Sequence, residues 1–140
     1  MVYTPNGVIS WGFPLDDFTF TYALTGQAQT DAAAANAAGK AVTQDNTAAA
    51  SVKLAGDGDL IFGRVFQAEN RSVQGFMTAA VQRRFKEKLP APSGHGIALG
   101  DSVVGGPAVS GQLGYVKKAT AANNTVVVEV GTDYVVVELL

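Results

Sequence analysis

The chain has 140 residues, 47% apolar and only 16% charged, with a formal net charge of -2 and no cysteine. That length and balance fit one folded domain rather than a disordered segment, with part of its surface facing protein instead of water. They exclude a disulfide framework and a thiolate metal site, and they give no electrostatic basis for binding nucleic acid, whose affinity rests on neutralising phosphates.

No apolar run approaches the roughly 20 residues of a membrane helix. The front of the chain lacks the basic and apolar regions of a secretory signal. The expectation is a soluble protein, cytosolic or part of a particle assembled in the cytoplasm, with no membrane partner.

Residues 1–27 carry Tyr3, Trp11, Phe13, Phe18, Phe20 and Tyr22, six of the twelve aromatic residues. In "DDFTFTY" the rings of Phe18, Phe20 and Tyr22 alternate with Thr19 and Thr21, the period of a strand with one apolar face. The preceding "YTPNGVISWGFP" is broken by Pro5, Gly7, Gly12 and Pro14 and reads as an extended arm. Two readings follow. The strand completes the domain's own core, or the arm lays Trp11, Phe13, Phe18, Phe20 and Tyr22 on another protein, where aromatic side chains carry much of the binding energy. The second reading defines 1–27 as an N-terminal arm.

Residues 28–50 contain eleven alanines and almost nothing large. "TDAAAANAAGK" allows a short helix, capped by Thr30 or Asp31 and stopped at Gly39. Two turns alone are marginal in water, so this region is expected to be a linker with a turn or two of helix leading into the body.

From Lys40 onward the pattern is β, and the body is placed at 51–140. "AVTQ" and "SVKLA" alternate, "DLIFGRVFQAE" follows a turn, and "SVQGFMTAAVQRRFKEKL" reads as a longer strand. There Met77, Ala79, Val81, Phe85 and Leu89 share even spacing, although a helix would also align most of them. At the end, "TVVVEVGTDYVVVELL" predicts a hairpin turning at Gly131-Thr132-Asp133. Its consecutive valines give both faces apolar character, so these strands are expected to be covered twice, by the core and by something else.

"LAGDGDLIFGRV" tests whether the glycines serve chemistry or geometry. Arg64 and Val65 follow Gly63 where a Walker loop needs Lys and a hydroxyl. The dinucleotide fingerprint fails because Leu60-Ile61-Phe62 leads into a strand. Asp57 and Asp59 lack the further oxygens and closing glutamate of a calcium loop. "GDLIFG" (58–63) is echoed by "GDSVVG" (100–105). The reading is two turn-strand corners of one small barrel, each with a Gly-Asp turn, an apolar pair entering the core and a closing glycine permitting a bulge or bend.

Other chemistry is thin. His95, the single histidine, has no second histidine to help it bind zinc. No nucleophile elbow accompanies Ser93 or Ser102. The pairs Asp16-Asp17 and Asp57/Asp59 are ordinary turn acids. The basic run Arg83, Arg84, Lys86 and Lys88 reads as a solvated or partner-facing strand. The expectation is a non-enzyme with no cofactor and no metal.

In "GKAVTQDN…VKLAGDGDLIFGRVFQAE" and "ALGDSVVGG…GYVKKA…VVVEVGTDYVVVEL" the sequence resembles the small capsid decoration, or cement, proteins of tailed bacteriophages. The likeness covers residues 39–140 and lies in strand-and-turn phrasing, with no catalytic signature. It implies an all-β fold, a small β-barrel or β-tulip body, and a structural role in the virion. It further implies a homotrimer on the outside of the expanded head that bridges major capsid protein subunits. The family pattern carries no functional side chains to transfer, so the capsid-contact candidates remain Trp11, Phe13, Phe18, Phe20 and Tyr22. The alternatives are another virion component, such as a tail or baseplate adaptor, and a small ligand- or glycan-binding β-barrel using Gly94-His95-Gly96.

Overall fold

A computed structural model describes residues 19–140; Trp11, Phe13 and Phe18 lie outside the described residues. Five strands close into a barrel: β1 (Thr19–Thr25), β2 (Ala41–Gln44), β3 (Ser51–Leu54), β4 (Gly63–Arg71) and β5 (Phe76–Gln82). Around the barrel the order is β1-β3-β2-β4-β5, and β5 returns to β1. Only β1 and β3 run parallel; a parallel pair needs a long crossover, and here it contains β2 and the helix α1 (Asp31–Ala37).

Alternation decides what enters the barrel. Phe20 and Tyr22 stand opposite Val81 and Ala79 on β5; of the apolar side chains on this side of β1, Leu24 is buried in the barrel, Tyr22 packs against its core, and Phe20, nearer the strand's start, stays half exposed. Leu24, Val42, Val52, Leu54, Val65, Met77, Ala79 and Val81 fill the interior. Barrel diameter grows with strand number, and eight strands already leave only enough room for side chains, so a five-stranded interior favours valine and alanine.

The same size limit explains the alanine-rich stretch. Helix α1 presents Ala34 and Ala37 to the barrel core, where both are buried. Thr30 is its N-cap, the hydroxyl accepting the Ala33 amide at 3.1 Å. At the other end the Lys40 ammonium donates to the Asn36 carbonyl at 2.6 Å, a cation where the helix dipole is negative. Docking supplies what two isolated turns lack.

A second core lies beside the first. A three-stranded sheet, β6 (Phe85–Pro90), β10 (Tyr134–Leu139) and β9 (Thr125–Val130), and a ribbon of β7 (Val103–Gly105) and β8 (Val116–Lys118) flank it. Phe85, Leu89, Val103, Val116, Val127, Val135, Val137 and Leu139 pack there with Ala41, Ala55 and Ile61 from the barrel side. The turn at Gly131-Thr132-Asp133 joins β9 to β10 as expected.

Among the described residues the fold is all-β with a small barrel and one short helix, and three boundaries differ from the expectation. Residues 19–25 belong to the barrel wall rather than an arm, because they pair with β3 and β5 and place Leu24 and Tyr22 on its core. Residues 28–50 contain a barrel strand, β2, as well as the helix. The segment read as one long strand is two, split at Arg83-Arg84, because Met77, Ala79 and Val81 enter one core while Phe85 and Leu89 enter the other. The valine hairpin places Val127, Val135, Val137 and Leu139 in the second core. Val128 and Val130 on β9 remain 37% and 39% exposed.

Candidate functional site

The two Gly-Asp corners are built alike. Gly58 and Gly100 adopt φ of +86° and +85°, a region that favours glycine. The Asp59 carboxylate accepts the Gly56 amide at 2.8 Å, and the Asp101 carboxylate accepts the Ala98 amide at 2.8 Å. That hydrogen bond holds the Asp101 carboxyl below the usual carboxylate range. Lys117 and Lys118 reach Asp57 and Asp101 at 2.5 and 3.5 Å. Ile61 and Val103 then enter the second core. The closing glycines are not at bulges. They sit where backbone passes close by: Gly63 against Val81 and Gln82, Gly105 against Gly56.

His95 is used in the same way. Its Nδ1 accepts the Ile97 amide at 3.0 Å, so the proton sits on Nε2, which donates to the Gly131 carbonyl at 2.8 Å. Both ring nitrogens are occupied in tying the 94–97 loop to the hairpin turn. Ser102 is also engaged, donating to the Thr125 carbonyl and accepting the Asn123 amide. Among the described residues no group of three His, Asp or Glu side chains converges as a metal site.

Asp45 forms a clasp between strands. Its carboxylate accepts the Thr25 hydroxyl at 2.6 Å, the Thr47 hydroxyl at 2.6 Å and the Thr47 amide at 3.0 Å. Those hydrogen bonds, the Thr25 hydroxyl foremost, hold its pKa at about 2.

The basic run does not form one patch. Arg83 turns back over the barrel mouth, its guanidinium carbon 3.5 Å from the centre of the Phe62 ring. Its Nε donates to the Phe62 carbonyl at 2.9 Å and a terminal nitrogen reaches the Tyr22 hydroxyl at 3.4 Å. Tyr22 meets Phe62 edge to face, with ring centres 5.5 Å apart. Lys88 lies over Tyr134, and Lys86 stands opposite Glu138 on β10. The sequence pattern missed this role of Arg83 because its stacking partner is 21 residues upstream.

Of the five capsid-contact candidates, two are described. Phe20 is 50% exposed at the barrel mouth. Tyr22 is half-buried against the core and engaged by Arg83 and Phe62, as the reading in which the strand completes the core expects.

A groove of about 490 Å³ is lined by Thr43, Gln44, Asn46, residues 58–62, Arg83, Asn124, Leu139 and Leu140. Leu60 and Leu140 stand on it 66% and 67% exposed. Elsewhere, two β-bulges turn apolar side chains outward. Val65 pairs with Val81 and Gln67 with Ala80, leaving Phe66 as the extra residue, 60% exposed. Val136 pairs with Glu129 and Val137 with Val127, leaving Val128 as the extra residue. Bulges re-aim side chains in this way.

Asp45, Asp59, His95 and Asp101 are spent on holding backbone, while Phe66, Leu60, Leu99 and Leu140 face outward. Compared with protein-family models, curated proteins and solved structures, the chain matches none.

Proposed function

We propose that the protein is a capsid decoration protein of a tailed bacteriophage, acting by adhesion rather than catalysis. Its place is the outer surface of the expanded head, in virions assembled in the host cytoplasm. There it bridges major capsid protein subunits as a homotrimer and resists the outward load on the shell. The observation that carries this reading is the outward projection of Phe66 and Val128 at two bulges, together with exposed Phe20, Leu60 and Leu99. Apolar side chains held out on rigid strands fit a protein surface, and 16% charge leaves little else for the exterior to bind.

The aromatic residues of the N-terminal segment add to the same surface. A trimer presents each contact three times, and once one is made the others become intramolecular. The ligand-binding alternative centred on Gly94-His95-Gly96 is disfavoured, because both nitrogens of His95 are held by backbone.

The test is to mix purified protein with undecorated expanded heads of the cognate phage and image the product. Density bridging neighbouring capsid subunits, and none on unexpanded shells, is the expected result. Equal binding to both shells, or to neither, overturns the reading. Mass in solution separates the rivals: a trimer is expected, a ring of six indicates a tail adaptor, and a monomer indicates a ligand binder.

A further inference from the structure

Arg64 is a half-buried cation held by neutral groups. Its Nε donates to the Lys88 carbonyl at 2.8 Å, and its Nη1 donates to the Gln82 side-chain oxygen at 2.8 Å. A guanidinium carries five N–H donors, so these two bonds fix its plane and commit less than half of its fork. Among the described residues no carboxylate lies within 4.0 Å of it. Burial lowers its pKa, and Glu87, acting from farther away, offsets only part of that effect. A charge taken partly out of water without a counter-charge is costly, and an anion placed here would offset the cost.

The Nη2 end of the fork lies beside Gly39, where a Cβ would stand 3.6 Å from it. Gly39 lines a hollow of about 350 Å³ together with Lys40, Arg64, Lys88, Asp133 and Tyr134. The Lys88 ammonium is 4.4 Å from the centre of the Tyr134 ring, a cation–π contact that holds it against this lining. The Lys40 ammonium spends one of its three donors on the Asn36 carbonyl, and burial lowers its pKa as well. Three cations against the single carboxylate of Asp133 give the lining a charge of +2. The chain as a whole carries -2, so this concentration of positive charge is local.

We propose that this hollow is a binding site for a phosphate dianion, taken as the free ion or as a monoester. Nη1 and Nη2 present adjacent N–H groups in the plane that two phosphate oxygens match, and Lys88 adds a point charge beside them. A phosphate monoester carries about -1.5 to -2 at pH 7, which the lining balances, whereas a carboxylate or a phosphate diester brings a single charge. The volume lies at the lower end of the range of small-ligand sites, which suits a phosphate group with a small organic body. This inference does not rest on the capsid reading, since it concerns the protein alone.

Calorimetric titration and thermal unfolding of the full chain test it. The probes are inorganic phosphate, methyl phosphate and dimethyl phosphate, each against sodium chloride at equal ionic strength. Saturable binding and a raised Tm are expected with the first two, and roughly tenfold weaker binding with the singly charged diester. Either order of the first two supports the site: tighter methyl phosphate assigns it to esters, and tighter inorganic phosphate assigns it to the free ion. Lys88→Gln removes one cation of the lining and should weaken binding by roughly tenfold. Lys86→Gln removes the same charge two residues away on β6, outside the hollow, and should change affinity by less than about twofold. Arg64→Gln should abolish saturable binding, with circular dichroism to check its fold. Lys86 and Lys88 are exposed, so their comparison decides the matter even where Arg64→Gln does not fold. Absence of saturable binding by both phosphates overturns the proposal, as does equal weakening by Lys86→Gln and Lys88→Gln. Dimethyl phosphate binding as tightly as methyl phosphate overturns the assignment to a dianion.

Discussion

Gly58 and Gly105 bind one another across the molecule: the Gly58 amide donates to the Gly105 carbonyl at 2.9 Å, and the Gly105 amide donates to the Asp59 carbonyl at 2.7 Å. One residue opens the first Gly-Asp corner and the other closes the second. The repeated phrase therefore builds two halves of one joint, which fastens the loop before β4 to the end of β7. The two glycines serve it differently. Gly58 supplies a left-handed backbone with open space around it, whereas Gly105 supplies a missing Cβ where Gly56 passes against it.

That difference predicts unequal costs. Gly58→Ala must hold an alanine at φ +86° and should destabilise by about 1–2 kcal/mol. In Gly105→Ala the new methyl meets the Gly56 carbonyl and the Ala55 side chain, so backbone must move. Its cost should be larger, about 3 kcal/mol, at the upper end of overpacking, with both hydrogen bonds of the joint disturbed. Urea unfolding of the two variants measures the order; Gly58→Ala costing more would refute this account of the joint.

Asp45 gives stability a defined acid limb. Its carboxyl is held at about 2 in the folded protein by hydrogen bonds from Thr25 and Thr47, against an ordinary value of 3.8. A depressed folded pKa stabilises the fold above the unfolded value, and that contribution fades as pH falls from about 4 towards 2. Asp45→Ala should be less stable at neutral pH and should lose less on acidification over that window. Urea midpoints measured from pH 7 down to pH 2 test both. An unchanged acid limb would mean the clasp contributes nothing.

How legible this was depends on the range of each signal. "AVTQ" and "SVKL" were readable as strands because alternation is local, and so was the hairpin at Gly131-Thr132-Asp133, where turn chemistry is local too. The Gly-Asp corners could be recognised as turns for the same reason. That the corners meet was not, because Gly58 and Gly105 are far apart in sequence and neither flanking run records the other. Met77, Ala79, Val81, Phe85 and Leu89 form one even stripe on paper, and only the destination of each side chain divides it between two cores. Arg83 reads as a solvent-facing cation until Phe62 is brought beneath it. Tyr22 looks available for a partner until the barrel closes around it. At the groove, Leu60 and Leu140 come from distant parts of the chain and had no shared signal.

Helix α1 makes a sharper test of the size argument. Ala37 is fully buried in the barrel core, whereas Ala35 is exposed. Ala37→Leu should cost about 1–3 kcal/mol by overpacking, and Ala35→Leu should stay within about 0.5 kcal/mol of the parent. Thr30→Ala removes the N-cap and should cost about 1 kcal/mol. Thermal unfolding of the three variants checks the ranking. If Ala37→Leu were tolerated, the helix would not be limited by the width of the barrel.

The position of β1 determines how the N-terminal segment can be removed without damage. Deleting residues 1–22 takes away Phe20 and Tyr22, cuts the pairing of β1 with β5 from Thr19 to Tyr22, and leaves Arg83 and Phe62 without their third partner. That truncation should open the barrel and unfold it cooperatively at lower denaturant. Deleting residues 1–18 stops short of the strand and should leave β1, the barrel and the second core intact. On the proposed role, this shorter truncation folds but loses part of its affinity for expanded heads, since Trp11, Phe13 and Phe18 are gone while Phe20, Phe66 and Val128 remain. Circular dichroism, unfolding midpoints and head-binding assays on the two truncations separate folding from adhesion. A 1–18 truncation that folds and binds as tightly as the full chain would leave the whole adhesive surface on the body, with Phe66 and Val128, and remove Trp11, Phe13 and Phe18 as contacts.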